Sequence, residues 1–509
     1  PGGSSAGKLP KGSSRLANLH FADWLVIGFY GVVALGLGLF FRRRASSSVE
    51  QYFLSGRSLP WWVLGTSMVA TTFAADTPLA VTGFIRHDGI WYNWFGWHYV
   101  MSQMLAVFLF SRFWRRARVI TDNELIELRY SGRPAAFLRG FRAVYLGVFF
   151  NLMIMATVTL AAIKIGGVMF GLSAVQTIAV AAVVTVAFST LSGLRGVLLT
   201  DSLLFVIAMA GSVIAAVVAL NRPEVGGLEN LLSHPRVVDK LALMPDLRDP
   251  NAFIPLFLVP IAVQWWAAWY PGSEPGGGGY IAQRMLAAKD ERHATGATLL
   301  YNVAHYALRP WPWILVALCS LVVFPDLDSL QRAFPHIDPR VVRDDLAYPA
   351  MLTFLPHGVL GLVIASLAAA YMSTISTHLN WGASYVTHDV YRRFVRPEAS
   401  ERQLVRVGRV TTVLLMVLAA LMALLLENAL QAFQILLQIG AGTGLLFLLR
   451  WFWWRINAWS EFAAMGVSFA VALGVLLANR LGFGLEAWQE LLIGVAITTA
   501  AWVSVTLLT

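Results

Sequence analysis

The chain has 509 residues, 57% of them hydrophobic and 13% charged, with a formal net charge of +10 and one cysteine. A soluble domain carries about a quarter charged residues, so a water-soluble fold is excluded, and Cys319, being single, cannot form an intramolecular disulfide. Long apolar runs rich in Leu and Ala, without strand alternation, predict an all-α polytopic membrane protein rather than a β-barrel.

In chain order, residues 1–20 read as a disordered tail or cloning scar. About thirteen spans follow, near 21–41, 60–85, 91–112, 143–170, 172–192, 197–220, 252–272, 295–324, 346–385, 408–427, 429–449, 459–479 and 486–508. Lysine and arginine placement orients them. With the amino terminus outside, the inner loops hold 24 basic residues and the outer segments 12, leaving Lys164 and Arg309 within spans. The expected topology is amino terminus out and carboxyl terminus cytoplasmic, in the plasma (inner) membrane of a bacterium. The basic excess is then a signature of the cytoplasmic leaflet, and a nucleic-acid partner is not expected.

Two spans are interrupted. In the second, Val69-Ala-Thr-Thr-Phe-Ala-Ala-Asp-Thr-Pro78 places an acid and a proline mid-span, where proline removes a ladder bond and disfavours helix before it. In the seventh, Trp265-Trp-Ala-Ala-Trp-Tyr-Pro-Gly-Ser-Glu-Pro-Gly-Gly-Gly-Gly-Tyr280 cannot be one helix, although a cytoplasmic loop just past the membrane is the stronger reading of 271–279. Interruptions five spans apart fit two inverted five-helix repeats, spans 2–6 (60–220) and 7–11 (252–450), with the solute held near the breaks. Span 1 and the last two (459–508) are additions. Gly276–Gly279 is not followed by Lys-Ser/Thr, so no nucleotide partner is expected and an ion gradient is the natural energy source. The histidines show no metal-ligating spacing within a span, and an enzyme is not expected.

The chemistry concentrates in Ala370-Tyr-Met-Ser-Thr-Ile-Ser-Thr-His378. Ser373, Ser376 and Thr377 share a helical face, with Thr374 about 100° round. Hydroxyls clustered beside small residues suit coordination of a small hard cation; the plain alternative is hydrogen bonding between helices.

Four stretches resemble the sodium:solute symporter family: Tyr52-Phe-Leu-Ser-Gly-Arg-Ser-Leu-Pro-Trp-Trp62, Ser192-Gly-Leu-Arg-Gly-Val-Leu-Leu-Thr-Asp201, Tyr280-Ile-Ala-Gln-Arg-Met-Leu-Ala-Ala-Lys289, and Ala369–Thr377 running on to Thr387-His-Asp-Val-Tyr391. The resemblance implies a LeuT-like 5+5 inverted repeat with broken helices. It implies one Na⁺ site at Ala70, Phe73, Ala370, Ser373 and Thr374, and a second at Asp201, Ser373, Ser376 and Thr377, so one or two coupling ions. Asp201 has another reading, as a structural partner of Arg195 or of a helix terminus. Where the family's sugar carriers use Gln, Glu, Ser and Lys, this chain has Thr77, Gly96, Tyr99 and His305, so sugar specificity is not implied.

Candidate solute residues are Asp76, Thr77, Trp97, His98, Trp266, Tyr270, His305, Arg309 and Gln434, with Gln438 a weaker one. Asp76 could meet an ammonium, take a proton or bond freed amides; His305 and Arg309 could pair with a carboxylate. The expected function is Na⁺-coupled symport of a small polar organic solute, an amino acid or carboxylate, by alternating access. A proton-coupled symporter and a transporter-like sensor are the alternatives. The lipid bilayer and the solute are the expected partners.

Overall fold

The computed structural model describes residues 19–45, 48–267, 275–426 and 438–509. Among them there is no strand, only an isolated bridge between Leu59 and Ala288. The helices that frame the site are α1 (Phe21–Ala45), α2 (Trp61–Thr72), α3 (Asp76–His87), α4 (Gly132–Phe170), α5 (Ala174–Leu220), α6 (Pro250–Ala267), α7 (Gly279–Ala287), α8 (Glu291–Val323), α9 (Val359–Val395), α10 (Glu401–Ala423), α11 (Ala458–Arg480) and α12 (Ala487–Leu508). Among the described residues, eight helices are individually long and apolar enough to cross a bilayer, or nine when the bent pair α2 and α3 is one span.

The expected spans differ from plain helices in three places. The span at 91–112 is a succession of short helical pieces, including a π-helical stretch at Ala106–Phe110. The run at 346–385 opens with a separate short helix, Ala347–Leu352, before α9 starts at Val359. Spans 172–192 and 197–220 appear as one helical run, α5, yet its packing shows that it reverses direction. Thr177 packs on Gly166 and Ile178 on Ala423, at one end of the bundle; the Thr190 carbonyl accepts from Arg409, at the other; Arg222, just past α5, lies over Phe354, back at the first end. Ala174–Thr190 and Leu194–Leu220 therefore run in opposite directions. The span at 429–449 lies partly outside the described residues.

The break in the second span is where proline chemistry places it. Pro78 stands in the first turn of α3, where its missing N–H costs nothing, but its ring obstructs the carbonyl four residues back, Ala74. The chain stops being helical at Phe73–Ala75 and bends by 54°. The apolar interior divides at the same point. Val63, Leu64, Met68 and Val69 of α2 pack with Ile281, Met285, Ala294 and Ala297, whereas Leu79, Val81 and Ile85 of α3 pack with Trp313, Val316 and Leu346. Gly65 lets α2 approach α8, since a Cβ there would lie 2.8 Å from the Ala297 carbonyl. Two contacts set α9: Asp23 of α1 accepts from the Gly358 and Gly361 amides, both at 2.7 Å, and Asn151 exchanges two hydrogen bonds with His378.

Candidate ion and solute sites

A helix that ends at membrane depth strands carbonyls that water would otherwise satisfy. At the end of α2 each has a different fate. The Phe73 amide is shared between the Val69 and Ala70 carbonyls, at 2.8 and 3.2 Å. The Thr71 carbonyl accepts from the Thr374 hydroxyl at 2.8 Å. The Thr72 carbonyl accepts a very short hydrogen bond from Arg309 Nη1, which also donates to the Thr72 hydroxyl at 3.1 Å. Among the described residues no donor reaches the Phe73 carbonyl.

The first predicted ion set comes together at this point. Ala70, Phe73, Ala370 and Ser373 line one small cavity with Leu204, Phe205 and Ala208, large enough for about one water-sized particle. Thr374 adjoins it through Thr71. The Ser373 hydroxyl is buried beside the Asp201 carboxylate, within reach of it but without a well-aligned hydrogen bond. A stranded carbonyl and an orphaned hydroxyl are hard oxygens, and they fit Na⁺. The atoms facing the void are apolar, so neither oxygen points into it in this structure.

The second predicted set is arranged differently. Asp201, 1% exposed, accepts from Ser67 Oγ at 2.5 Å, and the Arg284 guanidinium lies 3.9 Å from the same oxygen. Arg284 Nη2 donates to Thr377 at 2.7 Å and to Thr71 at 3.3 Å, and both Nε and Nη2 reach Ser67. The Ser376 hydroxyl donates to its own helix, to the Ser373 carbonyl at 3.1 Å. Asp201 therefore has Arg284 as its charge partner rather than Arg195. Arg284 itself, assigned by sequence to an inner loop, is fully buried, because α7 carries it back into the bundle.

Of the solute candidates, Asp76, Thr77, His305 and Arg309 meet at the break. Asp76 sits in the first turn of α3 with Oδ1 buried and unpartnered, and Thr77 Oγ1 donates to the Thr72 carbonyl at 3.3 Å. His305 Nδ1 is 2.9 Å from Thr72 Oγ1, and Arg309 Nη2 is 3.3 Å from His305 Nε2. The Tyr306 hydroxyl, near Arg309 and Tyr99, has no hydrogen-bond partner. His98 joins more remotely: its ring lies against Tyr99 at 4.0 Å, its Nδ1 bonds the Trp94 carbonyl, and its buried Nε2 is unpartnered. Trp97 packs edge-on to Trp94 at the margin of the core. Trp266 turns away, its indole N–H bonded to the Ala262 carbonyl and its ring packed with Val259 and Leu491. Gln438 is buried, with Nε2 unpartnered. Tyr270 and Gln434 lie outside the described residues.

Sequence reasoning missed Ser67, Thr71, Thr72, Arg284 and Tyr301, whose ring lies 5.2 Å from that of His305. Ser67–Thr71 and Tyr301–His305–Arg309 recur at spacing four, a helical stripe that was open to detection.

A family model for the sodium:solute symporter family matches residues 52–467, most of the chain. The chain belongs to the sodium:solute symporter family. It is thus an integral membrane, Na⁺-coupled solute symporter. This symporter is 27% identical over 479 residues to a sodium/glucose cotransporter of Vibrio parahaemolyticus, covering 90% of this chain and 85% of that one. It is 28% identical over 484 residues to the rabbit (Oryctolagus cuniculus) sodium/myo-inositol cotransporter 2, covering 89% and 68%. A solved Na⁺-coupled sialic acid symporter in a substrate-bound outward-open state matches with a TM-score of 0.76 at 20% identity, over 96% of this chain and 98% of that one. The symporter's fold is accordingly the LeuT-like inverted repeat with broken helices.

Proposed function

We propose that this symporter moves a small polar solute bearing a carboxylate, an amino acid being the best fit, by alternating access. Na⁺ binds at Ala70, Phe73, Ala370, Ser373 and Thr374 between α2 and α9. The observation that carries the solute class is Arg309. Its guanidinium is 5% exposed, has no carboxylate within 4 Å among the described residues, and leaves Nε unbonded. A buried cation that no carboxylate touches is costly in a bilayer, and a carboxylate taken from water offsets that cost. Asp76 Oδ1, also unbonded and within electrostatic range of Arg309, suits an ammonium. The relatives named for glucose and myo-inositol carry neutral polyols, which give Arg309 no counter-charge.

Orientation follows the basic residues. Arg57 bonds the Arg118 and Val119 carbonyls, Arg115 the Ala288 carbonyl, and Arg116 pairs with Glu291, so these arginines share one end of the bundle, which we assign to the cytoplasm. The repeats are assigned to 60–220 and 252–450. The second ion set is closed to Na⁺ while Arg284 occupies it.

The test is uptake into proteoliposomes under an inward Na⁺ gradient, with amino acids, monocarboxylates and glucose as separate substrates. Accumulation of a carboxylate-bearing solute is expected, abolished by Arg309→Gln and strongly reduced by Asp76→Asn for a zwitterion. Uptake indifferent to both substitutions, or glucose accumulation alone, contradicts the reading. Accumulation driven by a proton gradient without Na⁺ favours proton coupling instead.

A further inference from the structure

We propose that Arg309 is a positioning residue of the sodium site, so that a solute held by Arg309 and the ion are coupled through two adjoining peptide units, Thr72–Phe73 and Phe73–Ala74. The inference rests on the sodium site assigned above and goes beyond it by naming the link to the solute.

Three successive carbonyls at the break are each claimed by a different part of the protein. Thr71 is held by Thr374 of α9, and Thr72 by Arg309 of α8. Phe73 is left for the ion. Neither Thr71 nor Thr72 is satisfied by its own helix, so the path of the chain into Phe73 is held from outside α2 by Thr374 and Arg309, with a longer bond from Thr77 to the Thr72 carbonyl at 3.3 Å. Arg309 is suited to this because its planar fork divides the work. Nη1 faces the Thr72 carbonyl and hydroxyl, while the opposite edge, Nε with Nη2, carries only a 3.3 Å contact to His305. Trp313, 5.2 Å away, limits how far the guanidinium can swing.

A carboxylate binding side-on at Nε and Nη2 would leave the Nη1 bond intact and fix the guanidinium plane. That fixes the plane of the Thr72–Phe73 peptide and narrows the directions open to the next carbonyl, Phe73, the one assigned to the ion. Linkage makes the effect reciprocal: an ion that orders Phe73 orders Thr72 and presents Arg309 to the solute. His305 has a secondary part, holding the Thr72 hydroxyl at 2.9 Å.

The experiment reads Na⁺ binding without any solute. Detergent-purified full-length protein is melted across a Na⁺ titration balanced with choline, for wild type, Arg309→Gln, Arg309→Lys and Thr72→Val. With Arg309→Gln the Na⁺ concentration giving half the stabilisation is expected to rise about tenfold or more, the scale of one charge-assisted hydrogen bond. Arg309→Lys falls between, because an ammonium reaches the carbonyl without the fork. Thr72→Val keeps the carbonyl and is expected within about twofold of wild type. A purely structural role for Arg309 lowers the melting temperature in choline but leaves the Na⁺ midpoint in place. A midpoint within twofold of wild type for Arg309→Gln, or for Arg309→Lys if the Gln variant does not fold, overturns the inference while the sodium site stands. No Na⁺-specific shift in wild type overturns the sodium site and the inference with it.

Discussion

The hydroxyl cluster of α9 serves two neighbouring pockets that have the same raw materials and different contents. On one side Ser373 and Thr374 face the broken end of α2, a spare carbonyl and a small void. On the other, Ser376 and Thr377 stand beside Asp201, the stronger ligand on paper, but there Arg284 has already delivered a cation on a protein tether. Oxygen count alone does not make an ion site. A carboxylate with a guanidinium beside it is neutralised, and adding Na⁺ leaves a net buried positive charge. On the proposal made here, a set of carbonyls and hydroxyls with no guanidinium in it leaves the ion without such a competitor.

The contrast can be broken experimentally, and the largest effect is expected at Arg284. Arg284→Gln strands the Asp201 carboxylate and is expected to cost about 3–5 kcal/mol of stability in choline. It also opens the pocket, so Na⁺ and not K⁺ should restore part of the loss through a second, additional saturation step. A variant as stable as wild type, or one rescued equally by K⁺, refutes the view that the guanidinium takes the ion's place. Next in size is Ser373→Ala, which removes the orphaned hydroxyl and is expected to raise the Na⁺ midpoint about tenfold with little change in choline, read by the same melts. Smallest is Ser376→Ala. Its hydroxyl only bonds back to the Ser373 carbonyl, so stability should move within about 0.5 kcal/mol and the Na⁺ midpoint should not move.

Much of the first pocket was legible because it depends on local chemistry. Pro78 limits where α2 can end, and the spacing of Ser373 and Thr374 follows from the helix. The second pocket was not, because Arg284 follows a glycine-rich stretch that reads as a loop, and loop arginines are ordinarily assigned to the leaflet. What buries it is α7, nine residues with every side chain enclosed. The Thr72–Arg309 link was invisible for another reason: it joins a backbone carbonyl to a side chain 237 positions away, and sequence carries no mark of which carbonyl is free. Trp266 was drawn to the solute by its aromatic neighbours, but its indole is satisfied within its own helix.

The most direct test of the account is a thermal titration of the purified protein with Na⁺, against K⁺ and choline at constant ionic strength, for wild type and Thr374→Ala. A ligand that binds only the folded state at about a hundred times its dissociation constant stabilises by about 2.7 kcal/mol. The account predicts a saturable rise specific to Na⁺ in wild type, shifted to much higher concentration in Thr374→Ala, which loses the hydroxyl and frees the Thr71 carbonyl. Equal stabilisation by Na⁺ and K⁺, or a Na⁺ response untouched by Thr374→Ala, would contradict it.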